Sequence, residues 1–209
     1  HIPDGTVSRE EVAEFCKSYE EKIDRLGGLD IQILGIGRTG HIGFNEPGSS
    51  EKSLTRLVSL DQVTRIDAAS DFFGEENVPR KAITMGVGSI MKAAKVYMMA
   101  WGEGKSKVIY KAVEGPVTDQ IPSSFLQKHR DCTIVVDGAA ASGLTRIKTP
   151  WILDSVEWND KLIRKAVVWL CQKVKKPVLK LTNHDYMEHG MGDIITEFGS
   201  AYQANIKVF

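Results

Sequence analysis

The 209 residues carry 27 lysines and arginines against 27 aspartates and glutamates, with 42% hydrophobic residues. A chain of this size buries a substantial core, as one domain or one domain plus an appendage. Zero formal net charge removes any global electrostatic reason for a nucleic-acid or anionic-membrane partner, and no apolar run approaches the ~18 residues of a membrane span.

Cys16, Cys132 and Cys171 are odd in number and widely spaced, which argues against a disulfide framework or a zinc cluster. With no signal-peptide pattern at its start, the chain is expected in the cytoplasm. It opens His1-Ile2-Pro3-Asp4-Gly5, without an initiator methionine, as a fragment would.

Ser8-Arg9-Glu10-Glu11 reads as a capping box with Ser8 as N-cap. A helical stripe of Val12, Phe15, Cys16, Tyr19, Ile23 and Leu26 follows, closed by Gly27-Gly28. Residues 29–34 read as a strand that feeds a glycine loop. A short strand near 56–60 and a helix over 63–73 come next, the helix ended by Gly74 and Pro79. The pattern then predicts a buried strand over 81–85, a short helix over 89–94 and a strand over 95–100. Helices over 105–113 and 124–129 precede a last strand over 132–136. Strands alternating with helices define an α/β fold, a mostly parallel open sheet flanked by helices with right-handed crossovers.

After Thr149-Pro150-Trp151 the texture changes, so the chain is read as a domain over 1–148 and a helical C-terminal extension over 149–209. An amphipathic helix over 159–173 presents Leu162, Ile163, Ala166, Val167, Leu170 and Val174 as an apolar face, expected to pack on the sheet or a neighbouring module. Residues 178–181 look strand-like, and little periodicity follows Thr182. His184, Asp185, Glu188 and His189 match no common ligand spacing and read as solvated loop, with no metal site.

The loop over 35–50 carries the most chemistry: Gly-Ile-Gly-Arg-Thr-Gly-His-Ile-Gly-Phe-Asn-Glu-Pro-Gly-Ser-Ser. It leaves the end of a strand, where open α/β sheets place ligands, and delivers His41 and Glu46 five residues apart. Backbone N–H groups, an imidazole and a carboxylate together suit proton transfer on an anionic substrate. Gly35-x-Gly37-x-x-Gly40 also matches the dinucleotide fingerprint, with Asp61 about 20 residues on. That motif needs its third glycine in the opening of a helix, and the two glycines and proline after His41 oppose one.

The full string closely resembles the signature of glucosamine-6-phosphate deaminases, also called isomerases. Supporting stretches are Leu54-Thr55-Arg56-Leu57, Thr64-Arg65, residues 78–88 (Val-Pro-Arg-Lys-Ala-Ile-Thr-Met-Gly-Val-Gly) and Ala112-Val113-Glu114-Gly115. The likeness covers roughly residues 1–148. Related 6-phosphogluconolactonases share the glycine–histidine core but lack the Phe-Asn-Glu-Pro continuation. The resemblance implies a sugar-phosphate isomerase/deaminase-like fold and conversion of glucosamine 6-phosphate to fructose 6-phosphate and ammonia, with no redox cofactor or metal. His41 would be the ring-opening acid–base group, Glu46 its orienting carboxylate, Lys105 a phosphate ligand, and Gly37 and Thr39 further substrate-binding positions.

Four features depart from the family pattern. Thr39 stands where the family has an aspartate; threonine can hydrogen-bond an imidazole but cannot stabilise its cation by charge. Asp71 precedes Phe72-Phe73 where a phosphate-binding arginine is usual, subject to a one-residue shift. The family's first phosphate loop and the aspartate that moves the C2 proton have no counterpart in residues 1–34, so the chain is expected to lack the family's N-terminal third. Of the allosteric site of regulated members, Ser49 and Arg56 are in place while Val58 replaces a basic residue, so no allosteric control is expected.

The expected partner is a small sugar phosphate, with neither nucleic acid nor membrane involved. The family's frequent oligomers leave a homo-oligomer open. Some bacterial deaminase-like chains, which this one resembles, continue through a linker into a deacetylase-type module, and this leaves a fused downstream module open. A non-catalytic sugar-phosphate-binding domain is the competing reading, favoured by Thr39 and Asp71. A nucleotide-dependent oxidoreductase rests only on the formal glycine match.

Overall fold

The computed structural model describes residues 1–208, in two compact units that divide in sequence between Gly143 and Leu144. The first unit runs α1 (Val12–Arg25), β1 (Ile31–Gly35), β2 (Arg56–Ser59), α2 (Gln62–Ala68), β3 (Lys81–Thr84), α3 (Val87–Met91), β4 (Lys95–Ala100), α4 (Ser106–Val113) and β5 (Cys132–Val136). Strands β1, β4 and β5 form a parallel sheet in that order, with Leu34 opposite Met98 and Met98 opposite Ile134. Strands β2 and β3 form a separate antiparallel pair, Arg56 opposite Thr84 and Ser59 opposite Lys81. The architecture is the open parallel sheet with flanking helices that the alternation predicts.

Alternation along β4 explains which face carries the core. Val96, Met98 and Ala100 are buried, as are Leu34 of β1 and, outside the sheet, Ile90, Ile109, Ala112 and Leu126. Burying each of the valine, leucine, isoleucine and methionine side chains among them is worth about 1.5–3 kcal/mol, and each alanine less. On the opposite face Ile31 and Ile33 of β1 are 57% and 64% exposed, while Tyr97 and Met99 of β4 are half-buried.

Several boundaries differ from the sequence expectation. Ser8 and Glu11 bond as expected, the Ser8 hydroxyl donating to the Glu11 carboxylate at 2.6 Å and the Glu11 N–H to Ser8 Oγ at 3.3 Å, but residues 9–11 form a turn and the helix starts at Val12. The helix expected over 63–73 stops at Ala68 and tightens into a 3-10 turn, ended by Phe73 in the left-handed region (φ +59°). Over 122–128 the chain makes a 3-10 helix opened by Pro122. Glu20, one turn beyond Cys16 at the edge of the apolar stripe, is buried with it. Burial would raise its pKa, but hydrogen bonds from Ser89 and Thr55, helped by the charge of Lys92, hold it below the usual carboxylate value.

The second unit is helical: α5 (Thr145–Lys148), α6 (Asp160–Val174), α7 (Asn183–Glu188), α8 (Gly192–Phe198) and α9 (Ala201–Val208). Asn159 caps α6 by accepting from the Leu162 N–H at 3.0 Å. Ile163, Ala166, Val167 and Leu170 of α6, the face expected to pack on the sheet or a neighbouring module, are buried. They join Trp151, Leu181, Tyr186, Met191, Ile194 and Ala204 in the unit's own core.

Two further expectations fail here. Residues 178–180 form a 3-10 turn after Pro177 and not a strand; Val178 and Leu181, three apart, both meet the core. The stretch after Thr182 is helical and not solvated loop. Thr182 and Asp185 close a capping box, and Gly199 (φ +80°) caps α8. Among the described residues no helix is long and apolar enough to cross a membrane.

Candidate active site

The chain leaves β1 at Gly35 and turns sharply. Gly37 N–H donates to the His41 carbonyl and Gly40 N–H to the Gly37 carbonyl, each at 3.0 Å, with Gly40 at φ +87°. No helix opens after Gly40; an isolated bridge joins Ile42 and Asn45, which removes the structural basis for a dinucleotide reading. Gly37 contributes space, because a Cβ there would overlap Cε1, Nε2 and Nδ1 of His41. Its N–H is already used inside the loop.

Asn45, fully buried, holds the second half of the loop. Its amide donates to the Ile42 carbonyl at 2.9 Å and the Met85 carbonyl at 2.8 Å, and its oxygen accepts from Arg56 at 2.9 Å. Phe44 N–H donates to the Thr84 hydroxyl at 3.0 Å. These bonds tie the loop to the end of β3 and so place Glu46 under His41. Arg56 also donates to Ser49 Oγ at 3.1 Å, and burial pulls its pKa below the ordinary arginine value.

His41 and Glu46 meet. Nδ1 lies 3.1 Å from Glu46 Oε2, and both side chains are about 14% exposed. Thr39 Oγ1 is 3.0 Å from Nδ1 and donates to Oε2 at 3.4 Å. Thr64, from α2, donates to Glu46 Oε1 at 2.6 Å and stands 3.4 Å from Nδ1, while the Asp61 N–H adds a 3.3 Å bond to Oε1. A carboxylate only accepts hydrogen bonds, so the Glu46 contact favours the tautomer with the ring proton on Nδ1. Among the described residues nothing bonds Nε2, whose lone pair is left to the cleft.

The cleft holds about 430 Å³ and is lined by Gly35, Ile36, Gly37, His41, Thr64, Asp67, Asp71 and Lys105 among others. The Lys105 ammonium, just before α4, donates to the Ile36 carbonyl at 2.8 Å and keeps two N–H donors. Asp67 is held by a forked pair from Arg38. Asp71 reaches the same cleft, so carboxylates and an ammonium share its wall. Burial raises the thiols of Cys16, Cys132 and Cys171, so none is a poised thiolate.

Thus Gly37, His41 and Lys105 line one cleft, and Thr39 and Glu46 stand behind it at Nδ1 of His41. Thr64, the Asp61 N–H and Asn45 are site-building groups that the sequence reading did not single out. Thr64-Arg65 and the Asn in Phe-Asn-Glu were visible as part of the likeness, but their partners lie 18 and 40 residues away. Of the acidic and histidine residues near 184–189, Asp185 pairs with Lys176 at 2.7 Å, and His184 lies 3.2 Å from Glu188.

Residues 2–135 match the family described as glucosamine-6-phosphate isomerases/6-phosphogluconolactonase, and the chain belongs to that family. A glucosamine-6-phosphate deaminase from a Thermoanaerobacter species is 49% identical over 143 residues, covering 68% of this chain and 55% of the relative. A Bacteroides thetaiotaomicron protein named only as glucosamine-6-phosphate deaminase-like is 52% identical over 207 residues. That match covers 99% of this chain and 31% of the relative, so it runs through both units. A solved monomeric glucosamine-6-phosphate deaminase superposes with a TM-score of 0.65 at 42% identity, covering 68% of this chain and 58% of that one. The chain therefore spans about half the length of the deaminases it matches.

Proposed function

We propose that the cleft serves the conversion of glucosamine 6-phosphate and water to fructose 6-phosphate and ammonia, an aldose–ketose isomerisation with deamination. The observation that carries this reading is the His41–Glu46 contact of 3.1 Å at Nδ1, with Nε2 left to the cleft. An imidazole fixed in that tautomer can take the anomeric hydroxyl proton and deliver a proton to the ring oxygen as the C1–O5 bond breaks. Lys105 is proposed to bind the phosphate, with Thr39 and Gly37 at the substrate's edge. Transfer of the C2 proton to C1 needs another base, which is assigned to none of these cleft residues. The family membership and the deaminase relatives support the substrate class.

A second reading, a sugar-phosphate-binding domain without turnover, is favoured by one observation: Asp71 faces the same cleft as Lys105, where its charge would oppose a phosphate. Ammonia release from glucosamine 6-phosphate separates the two, assayed in a polypeptide that completes the length of the deaminase relatives. The enzyme reading predicts turnover in the parent, its loss by about 10²–10⁴-fold in His41→Asn, and a gain in Thr39→Asp, which supplies a second carboxylate. A parent that binds the phosphosugar without releasing ammonia supports the binding-domain reading.

A further inference from the structure

We infer that Thr64 is a positioning residue of this site: its hydroxyl locks Glu46 against His41 and so decides which ring nitrogen offers a lone pair to the cleft. The inference rests on the reading of His41 as the ring-opening group and goes beyond it by assigning what sets the tautomer.

His41 Nδ1 has three oxygen neighbours: Thr39 Oγ1 at 3.0 Å, Glu46 Oε2 at 3.1 Å and Thr64 Oγ1 at 3.4 Å. Two neutral tautomers satisfy such a set. With Nδ1–H, the ring donates to the carboxylate and Nε2 is free to take a proton. With Nε2–H, the Thr39 hydroxyl donates to a bare Nδ1, and a hydrogen projects where the substrate proton should arrive. Thr39 makes this competition real, because a hydroxyl can donate to Nδ1 whereas a carboxylate cannot.

Whether Glu46 stays in place decides the outcome. The 2.6 Å bond from Thr64 to Oε1 is the shortest in the cluster. A hydroxyl has one proton, so a Thr64 committed to Glu46 has none for Nδ1. Thr64 is 6% exposed and sits in the first turn of α2, whose start is fixed by Asp61 accepting from the Val63 N–H at 2.8 Å. Burial and β-branching restrict where its oxygen can sit. Released from Thr64, Glu46 keeps only the longer Asp61 bond on that oxygen, and its carboxylate can swing away from the ring.

The imidazole nitrogens of His41 report this directly in ¹H–¹⁵N spectra of the chain without substrate, at a pH where the ring is neutral. The parent reads as Nδ1–H. Thr64→Val, and Thr64→Ala as a second substitution, shift the signals toward Nε2–H; Thr64→Ser keeps the parent pattern. Thr39→Val combined with Thr64→Val returns the ring to Nδ1–H by removing the competing donor. In the length-completed polypeptide, Thr64→Val lowers kcat by about tenfold with KM within about twofold, since a wrong tautomer blocks proton transfer and leaves binding alone. A parent already in the Nε2–H form, or valine and alanine variants with unchanged nitrogen signals, overturns the inference. A parent without turnover counts against the enzymatic reading only, because the spectra are taken without substrate.

Discussion

The two units spend their buried polar groups in opposite ways. In the first, His41, Glu46, Thr39 and Thr64 bond one another and leave one imidazole nitrogen facing a cleft. In the second, polar groups are turned inward: Tyr186 donates to Asn205 at 2.6 Å, and Asp185 is pinned by Lys176 and by Thr182. Among the described residues, the second core also leaves Trp151 Nε1, Trp158 Nε1 and Asn205 Nδ2 buried without partners, against Ser123 Oγ alone in the first unit. A site meant for chemistry must fix its donors and acceptors in advance, whereas a core meant for burial can carry an unmatched N–H when the rings around it pack well. Trp151 does pack, with Trp158 and Trp169 centroids 5.9 and 5.7 Å away.

Substitutions that break one unit's logic should read out in different currencies. The largest effect is expected from Leu170→Ala, which empties a fully buried position in the second core and should cost about 2–5 kcal/mol by chemical denaturation. Gly37→Ala should act on chemistry, since its methyl group must push the imidazole aside; a displacement near 1 Å predicts a loss of about 100-fold in kcat/KM. Tyr186→Phe should cost about 1–2 kcal/mol, because it strips Asn205 of its donor; burial also holds the Tyr186 phenol well above its ordinary pKa, so that hydroxyl stays neutral.

The smallest effect is an acid one. The Lys176 ammonium, with Thr182, holds the Asp185 carboxyl at about 2, below its unfolded value of about 3.9. Stability from this depressed group is complete above the unfolded value and fades as pH falls through about 2. Comparing the parent with Asp185→Asn by thermal melting between pH 5 and 2 should show the parent losing about 1 kcal/mol more.

How much was legible in the sequence follows the same division. The order of strands and helices in the first unit, the last strand at 132–136 and the His41–Glu46 pair could be read from local pattern. Apolar runs, glycine turns and a five-residue spacing are short-range signals. What could not be read was everything that depends on distant partners. Thr64 reaches Glu46 across 18 residues, Asn45 reaches Met85 across 40, and Glu20 is drawn into the core by Ser89 across 69. In the second unit the short helices were missed because each buries only a few residues and shows no long period. Even so, the Thr-x-x-Asp pattern at 182–185 was a local signal for the start of α7 that periodicity alone passed over.

His41, held by Glu46, is proposed to open the sugar ring from the cleft side. Exchange between the α and β anomers of glucosamine 6-phosphate measures ring opening by itself, without the later proton transfer from C2. NMR exchange spectra with the length-completed polypeptide should show anomer interconversion accelerated well above the free rate, and that acceleration should vanish in His41→Asn. Equal exchange rates in the parent and in His41→Asn would contradict the account.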